Sequence, residues 1–291
     1  MTEHHVLGLS GGKDSAALAV FMRQHYPELD IQYFFTDTGK ELPEVYDFLG
    51  RLEGFLGKPI QRLNPNRDFD FWLRQNGNFL PSANTRWCTR KLKIEPFKQW
   101  IKPWLTAKHK VYSYVAIRAD EDHREGMIAQ DDNLLICLPF REKGIDKPGV
   151  LEILEGSGLG LPKYYDWRSR SGCTFCFFQQ KIEWVRLKRI HPGEFEAAKA
   201  YEKTSLEHGS PFTWSQRESL EQLEKPERMA QIEADFEMRI SREKANRTPN
   251  PLRISAINPF ETSCKEMTEP VDIDDLYMED EGGGACLICH K

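Results

Sequence analysis

No stretch of this 291-residue chain approaches the roughly 18 consecutive apolar residues that a membrane helix needs. Its opening, MTEHHVLGLSGGKDS, lacks the basic region, long apolar core and cleavage site of a secretory signal. Together these absences set the expectation of a cytoplasmic protein without membrane contact. A net positive balance is lacking too. A formal net charge of −5 argues against a chain that grips nucleic acid unaided, because that usually requires a clustered positive field. The eight histidines show neither H-E-x-x-H nor any paired-ligand spacing, no Ser/His/Asp arrangement is legible, and there is no internal repeat. Cysteines number seven, an odd count that in a reducing compartment points to metal binding or thiol chemistry before disulfides.

What is present is a globular composition, 40% hydrophobic and 29% charged, enough for one substantial core and an appended lobe. The most informative run is Ser10-Gly11-Gly12-Lys13-Asp14-Ser15. It follows the apolar stretch His5-Val6-Leu7-Gly8-Leu9 and precedes a helical pattern, Ala16 to Arg23. In a strand–turn–helix context, backbone N–H groups and a helix N-terminus cradle phosphate. The glycines permit positive φ and close approach, and Ser10, Ser15 and Lys13 can add charge-assisted hydrogen bonds. The spacing is not that of the Walker loop, and Asp14 would repel phosphate unless cap or metal duty occupies it. A plain polar turn with a helix cap is the alternative.

Apolar runs near 5–9, 31–35, 59–63, 111–117 and 134–138 read as strands separated by helices, hence βαβ units and a mostly parallel, doubly wound α/β sheet. Ligands of such sheets sit at the carboxyl ends of strands, where SGGKDS falls. So does Phe34-Phe35-Thr36-Asp37-Thr38-Gly39, which a helix start, Glu41-Leu42-Pro43-Glu44-Val45-Tyr46, follows. This second element also fits an Asx-type turn capping a helix. Residues 142–170, rich in Gly and Pro, read as an irregular excursion. Helical patterns resume from Gln179 through Arg247 with a break at His191-Pro192-Gly193. The expected division is 1–177 as nucleotide-binding domain with the cysteines, 178–248 as helical lobe, and 249–291 as an acidic, flexible tail ending Cys286-Leu287-Ile288-Cys289-His290-Lys291. Local basic stretches, among them Arg86, Arg90, Lys91 and Lys93, read first as solvated helix faces.

SGGKDS resembles the PP-loop of the ATP pyrophosphatase and phosphoadenosine phosphosulfate reductase superfamily, whose fold is adenine nucleotide alpha-hydrolase-like. The D-T-G turn with its P-E-V-Y helix start matches the superfamily's second element. A third, Ile117-Arg118-Ala119-Asp120-Glu121-Asp122-His123-Arg124, resembles its strand end with two oxyanion-binding arginines; Ala116 and Asp122 depart from the usual Gly and Ser. The resemblance implies that Ser10, Gly11, Gly12, Lys13, Asp14, Ser15, Thr36, Asp37, Thr38 and Gly39 hold ATP and Mg²⁺. It further implies that Lys13, Asp14, Arg118 and Arg124 act in catalysis.

Arg86-Trp87-Cys88-Thr89-Arg90-Lys91 and Cys173-Thr174-Phe175-Cys176 resemble the segments that hold a [4Fe–4S] cluster in cluster-bearing members. Trp87 replaces one cysteine, leaving Cys88, Cys173 and Cys176 as implied ligands. A fourth thiolate would come from Cys264, Cys286, Cys289 or Cys137, or else one iron stays open for sulfur. Zn²⁺ on the two C-x-x-C pairs is the alternative, and basic neighbours favour thiolates in either case. Cys137 reads as a buried core thiol. The terminal Cys286 and Cys289 resemble the tail thiol of phosphosulfate reductases.

Two activities follow from the resemblance. In the first, ATP adenylates an acceptor with loss of pyrophosphate, and sulfur displaces the adenylate, as in the ATP pyrophosphatases of Dnd/Ssp-type DNA phosphorothioation. A cysteine desulfurase would supply sulfur and partner proteins would hold the DNA; a homodimer stays open. In the second, phosphoadenosine or adenosine phosphosulfate is reduced to sulfite by a thiol donor.

Overall fold

A computed structural model describes residues 2–64, 67–83, 85–121, 131–210, 212–215 and 218–246. Five strands, β1 (Glu3–Gly8), β2 (Ile31–Phe35), β3 (Ile60–Arg62), β4 (Lys110–Tyr114) and β5 (Leu134–Cys137), form one sheet in the order β3-β2-β1-β4-β5. Every pairing is parallel. All five apolar runs of the sequence are strands, and the α/β expectation holds. Succession leaves β1 toward β2 and β3 on one side and toward β4 and β5 on the other. The crevice between β1 and β4 is therefore the topological switch point.

Consecutive strand residues point to opposite faces, and the two faces carry separate cores. Leu7, Tyr33 and Phe35 pack under α1 (Lys13–His25) and α2 (Pro43–Leu56). Val6, Phe34, Val111 and Leu134 pack on the other side with Phe97 and Ile101 of α4 (Glu95–Thr106). There the Phe34 ring stacks on Phe97 with centroids 4.9 Å apart. The short α3 (Phe69–Gln75) precedes a π-helical turn, Thr89–Ile94, that runs directly into α4. Nearly the whole of α1 from Ser15 to Met22 is buried, as a central helix covered on both sides must be.

Residues 142–170 depart from the expected irregular excursion. After α5 (Pro139–Glu142), α6 (Lys147–Gly156) starts at Asp146, whose carboxylate accepts the Gly149 N–H at 3.1 Å. Pro148 sits in the first turn, where its missing N–H costs nothing. Val150 and Leu154 are fully buried. A capped amphipathic helix thus lies within a stretch whose Gly and Pro content suggested none. A 3₁₀ turn, Lys163–Asp166, follows.

The expected C-terminal helices are α7 (Lys181–Ile190), α8 (Pro192–Glu207), α9 (Leu220–Leu223) and α10 (Pro226–Asn246), with the break at His191 as read. The core beneath α1 continues without interruption into Trp184, Phe195 and Trp214. No helix among the described residues is long and apolar enough to cross a membrane. The tail from 249 lies outside the described residues.

Phe34→Ala would open a cavity in the smaller core and strip Phe97 and Trp100 of their ring partner. A loss of about 3–5 kcal/mol is expected, read as a lowered urea midpoint with unchanged slope.

Candidate functional site

The SGGKDS turn leaves β1 and enters α1 with Gly11 at φ +74°. A Cβ on Gly11 would come within 2.6 Å of Val45 Cγ1, and one on Gly12 within 2.7 Å of Ser171 Oγ. Both glycines are therefore required by space, and Gly11 by conformation as well. The turn is wired internally. Ser10 N–H donates to Ser15 Oγ (3.1 Å), Gly12 N–H to Ser10 Oγ (3.2 Å), and Ser15 Oγ–H to Gly12 O (3.3 Å).

A second segment that sequence reasoning did not single out roofs this turn. Tyr164 donates its hydroxyl to Gly11 O (2.8 Å), Ser171 donates to Ser10 Oγ (3.3 Å), and Tyr165 Oη accepts the Lys13 N–H (3.3 Å). The Lys13 ammonium stands 5.0 Å from the Tyr165 ring centre and 3.9 Å from Asp14 Oδ2. The expectation of amides open to a ligand is amended accordingly. In this structure the Ser10, Gly12 and Lys13 N–H groups each have an acceptor within the protein.

Arg118, just beyond β4, reaches across the switch point. Its Nη1 donates to Asp14 Oδ1 at 3.0 Å, and Nε donates to Asp120 Oδ1 at 2.9 Å. Glu121 anchors the turn by accepting the Arg118 N–H at 3.1 Å. Burial works against the Arg118 charge, but Asp14, Asp120 and Glu121 outweigh it and hold its pKa above the ordinary arginine value. Two motifs about a hundred residues apart are thus joined by an ion pair, and Asp14 has a cation as its partner. Arg124 lies outside the described residues.

At the end of β2, Asp37 Oδ1 accepts both the Gly39 N–H and the Tyr46 hydroxyl, each at 2.8 Å. Burial and then Asp37 push the Tyr46 phenol up. Asp37 thus performs the Asx-turn role, with Arg62 Nη1 3.9 Å from its second oxygen. Thr36 and Thr38 are buried beside it, and Gly39 turns at φ +70°. The next residue, Lys40, ties the turn to the helices by donating to Asp70 Oδ2 (3.2 Å) and Tyr201 Oη (2.9 Å).

The C-x-x-C turn lies directly against this loop. Glu41 and Cys173 form an antiparallel bridge, and Thr174 N–H donates to Lys40 O at 2.7 Å. Cys173 Sγ–H points to Glu41 Oε1 (3.6 Å) and lies 3.3 Å from Thr38 Oγ1. Thr38 donates to the same Glu41 oxygen at 2.9 Å. The buried guanidinium of Arg168, also missed by sequence reasoning, donates to Gly172 O (3.1 Å) and Cys173 O (2.8 Å), fixing the turn from behind. Burial and then Glu41 raise the Cys173 thiol well above the ordinary cysteine value, and Lys93 opposes them. This reverses the expectation that basic neighbours would favour the thiolate here.

Cys88 packs half-buried against the main core at the start of the π-helical turn, while Trp87 is fully in that core with Nε1–H donating to Phe79 O at 3.1 Å. Arg86 and Arg170 both stand 5.1 Å from the Phe178 ring centre, so the Cys88 segment and the C-x-x-C turn share a neighbourhood. Among the described residues, however, no group of three or more His, Cys, Asp or Glu side chains converges to hold a metal ion. Cys88, Cys173 and Cys176 as they stand do not make a cluster cradle. Cys137 is half-buried at the end of β5 rather than fully enclosed, with its thiol raised by burial and Glu142. Cys264, Cys286 and Cys289 lie outside the described residues.

Residues 4–129 match the phosphoadenosine phosphosulfate reductase domain. Two uncharacterized proteins of Methanocaldococcus jannaschii are similar. One is 25% identical over 64% of this chain and 44% of its own length; the other is 26% identical over 66% and 40%. The chain thus spans less than half the length of these curated relatives. Among solved structures, phosphoadenylyl-sulfate reductase from Candida auris, in complex with phosphate, aligns with TM-score 0.46 and 13% identity over 58% of this chain and 81% of its own. The U34-tRNA thiolase NcsA from Methanococcus maripaludis, with its [4Fe–4S] cluster, aligns with TM-score 0.39 and 15% identity over 70% and 72%.

Gly11→Ala would force a side chain into Val45 at a left-handed φ. We expect it to destabilise the fold by about 1–3 kcal/mol in denaturant titration.

Proposed function

We propose that the chain is an ATP pyrophosphatase that activates an acceptor for sulfur insertion. One observation carries this reading: the SGGKDS turn and Arg118 meet at the sheet's switch point, with Arg118 Nη1 3.0 Å from Asp14 Oδ1 and the buried Lys13 beside them. That arrangement sets two cations, held by Asp14, Asp120 and Glu121 in the resting protein, and a helix N-terminus where a polyphosphate can lie.

In the proposed reaction an acceptor oxygen attacks the α-phosphorus of ATP, the bond to the bridging α–β oxygen breaks, and pyrophosphate leaves with that electron pair. A sulfur nucleophile then displaces AMP from the adenylated acceptor. Lys13 and Arg118 clamp the oxyanions, Ser10 and Ser15 hold the turn in shape, and catalysis rests on positioning and charge. Mg²⁺ enters as part of the nucleotide substrate, because the carboxylates of Asp14 and Asp37 already have partners. The acceptor we infer from the motif resemblance is the DNA backbone, with sulfur from a cysteine desulfurase. The basic residues Arg86 and Arg170, beside the C-x-x-C turn, support a polyanion approaching from that side. Arg124, Cys286 and Cys289 keep the roles the resemblance implies for them. The described cysteines form no cluster cradle, so no step here passes through iron.

The match of residues 4–129 favours a second reading, phosphosulfate reduction, in which the same turn holds the sulfate end of the nucleotide and a thiol removes sulfite. Purified protein incubated anaerobically with ATP, and separately with phosphoadenosine phosphosulfate plus a dithiol, separates the two. Pyrophosphate from ATP supports the first reading. Sulfite alone replaces it with the second, and neither product removes both. Under the first reading, Lys13→Ala should cut pyrophosphate release by about a hundredfold or more with folding intact, the scale for losing one preorganised oxyanion donor.

A further inference from the structure

We propose that Tyr165 is a placeholder in the oxyanion site, its hydroxyl occupying in the resting protein the Lys13 N–H that a phosphate or sulfate oxygen takes on binding. The inference rests on the nucleotide reading of the SGGKDS turn and adds a residue that neither motif nor resemblance assigns.

Lys13 is the first residue of α1, and its N–H belongs to the opening turn, whose donors have no partner within the helix. Here Tyr165 Oη accepts it at 3.3 Å, a long bond for a neutral hydroxyl. The same side chain presents its ring to the Lys13 ammonium at 5.0 Å, a cation–π distance. One residue therefore holds both donors of Lys13 in place, the N–H with its oxygen and the ammonium with its π face.

The flanking geometry separates what is fixed from what can yield. Tyr164 is fully buried, and its hydroxyl is committed to Gly11 O at 2.8 Å. Arg168, likewise buried, holds Gly172 O and Cys173 O. These contacts pin the 3₁₀ turn on both sides. Tyr165 is only half-buried, and its hydroxyl also meets that of Tyr164, so yielding the Lys13 N–H means giving up that contact too, while Tyr164 stays held at Gly11 O. A charged oxyanion makes a shorter and stronger bond to the N–H than a neutral phenol does. A ligand without such a group cannot displace the phenol, which makes Tyr165 selective for the phosphate or sulfate end of the nucleotide.

The test compares wild type, Tyr165→Phe and Tyr165→Ala by calorimetric titration with ATP, inorganic pyrophosphate and adenosine. Phe keeps the ring beside Lys13 and removes the competing oxygen. We expect it to bind ATP and pyrophosphate about three- to tenfold more tightly than wild type, the factor that matches one hydrogen bond's net worth. Adenosine binding should not change. Ala loses the ring as well and should bind both phosphate ligands more weakly than Phe. A purely structural role would make both variants weaker than wild type. Equal or weaker ATP binding by Tyr165→Phe, with wild type binding normally, overturns the placeholder and leaves the nucleotide reading standing. Wild type that binds neither ATP nor pyrophosphate removes both.

Discussion

At Gly11 and Gly12 the turn after β1 has no room for a side chain, and much of the site's organisation follows from that. Val45 of α2 closes on Gly11 and Ser171 closes on Gly12, so the turn is gripped between the helix that follows the second strand and the segment that leads into the C-x-x-C. Backbone this close to its neighbours can take only one path. That path points the first turn of α1 into the switch-point crevice and brings Lys13 and Asp14 with it. The hydroxyls of Ser10 and Ser15 then satisfy the amides the path would otherwise strand. Steric exclusion fixes the shape, and hydrogen bonding makes it tolerable in a buried setting.

Charge is arranged on top of that shape. Arg118 and Asp14 come from opposite sides of the switch point and neutralise one another in a mostly enclosed position. A buried cation without a partner would be costly, so Asp14 keeps Arg118 tolerable and aimed. This gives the carboxylate in the SGGKDS turn a partner. Its charge faces an arginine from the segment after β4, and the net field of the group is set by Lys13 and Arg118 against Asp14, Asp120 and Glu121.

The strands were legible because each is a short apolar run in a parallel sheet covered on both faces, and such runs stand out against their polar flanks. The first turn, the D-T-G turn and Arg118 were legible because their residue types are tied to local backbone demands. Helix α6 was not. Its cap at Asp146 and its buried Val150 and Leu154 are ordinary helix signals, but the Gly and Pro around them spoke for a loop. Tyr164, Tyr165, Arg168 and Ser171 escaped for a different reason. Each acts on a partner distant in the chain or on bare backbone, and an aromatic or arginine side chain carries no local mark of which carbonyl or amide it will meet. The reversed direction of the Cys173 shift has the same origin. Basic neighbours suggested a thiolate, whereas the charge that acts on it most is Glu41, which the bridge between the two loops brings beside it.

That bridge is the last structural link between the D-T-G turn and the thiol. Thr38, in the D-T-G turn, and Cys173 share one carboxylate oxygen of Glu41, while Thr174 holds the carbonyl of Lys40 with both its N–H and its hydroxyl. The second Glu41 oxygen is buried and has no hydrogen-bond partner among the described residues. A carboxylate enclosed in this way is costly unless its remaining lone pairs are met. The two loops therefore cannot shift independently: moving Thr38 leaves Glu41 more exposed to that cost, and moving Cys173 does the same. The sequence separates these motifs by well over a hundred residues, yet one shared oxygen makes them a single mechanical unit, with the D-T-G turn on one side and the thiol on the other.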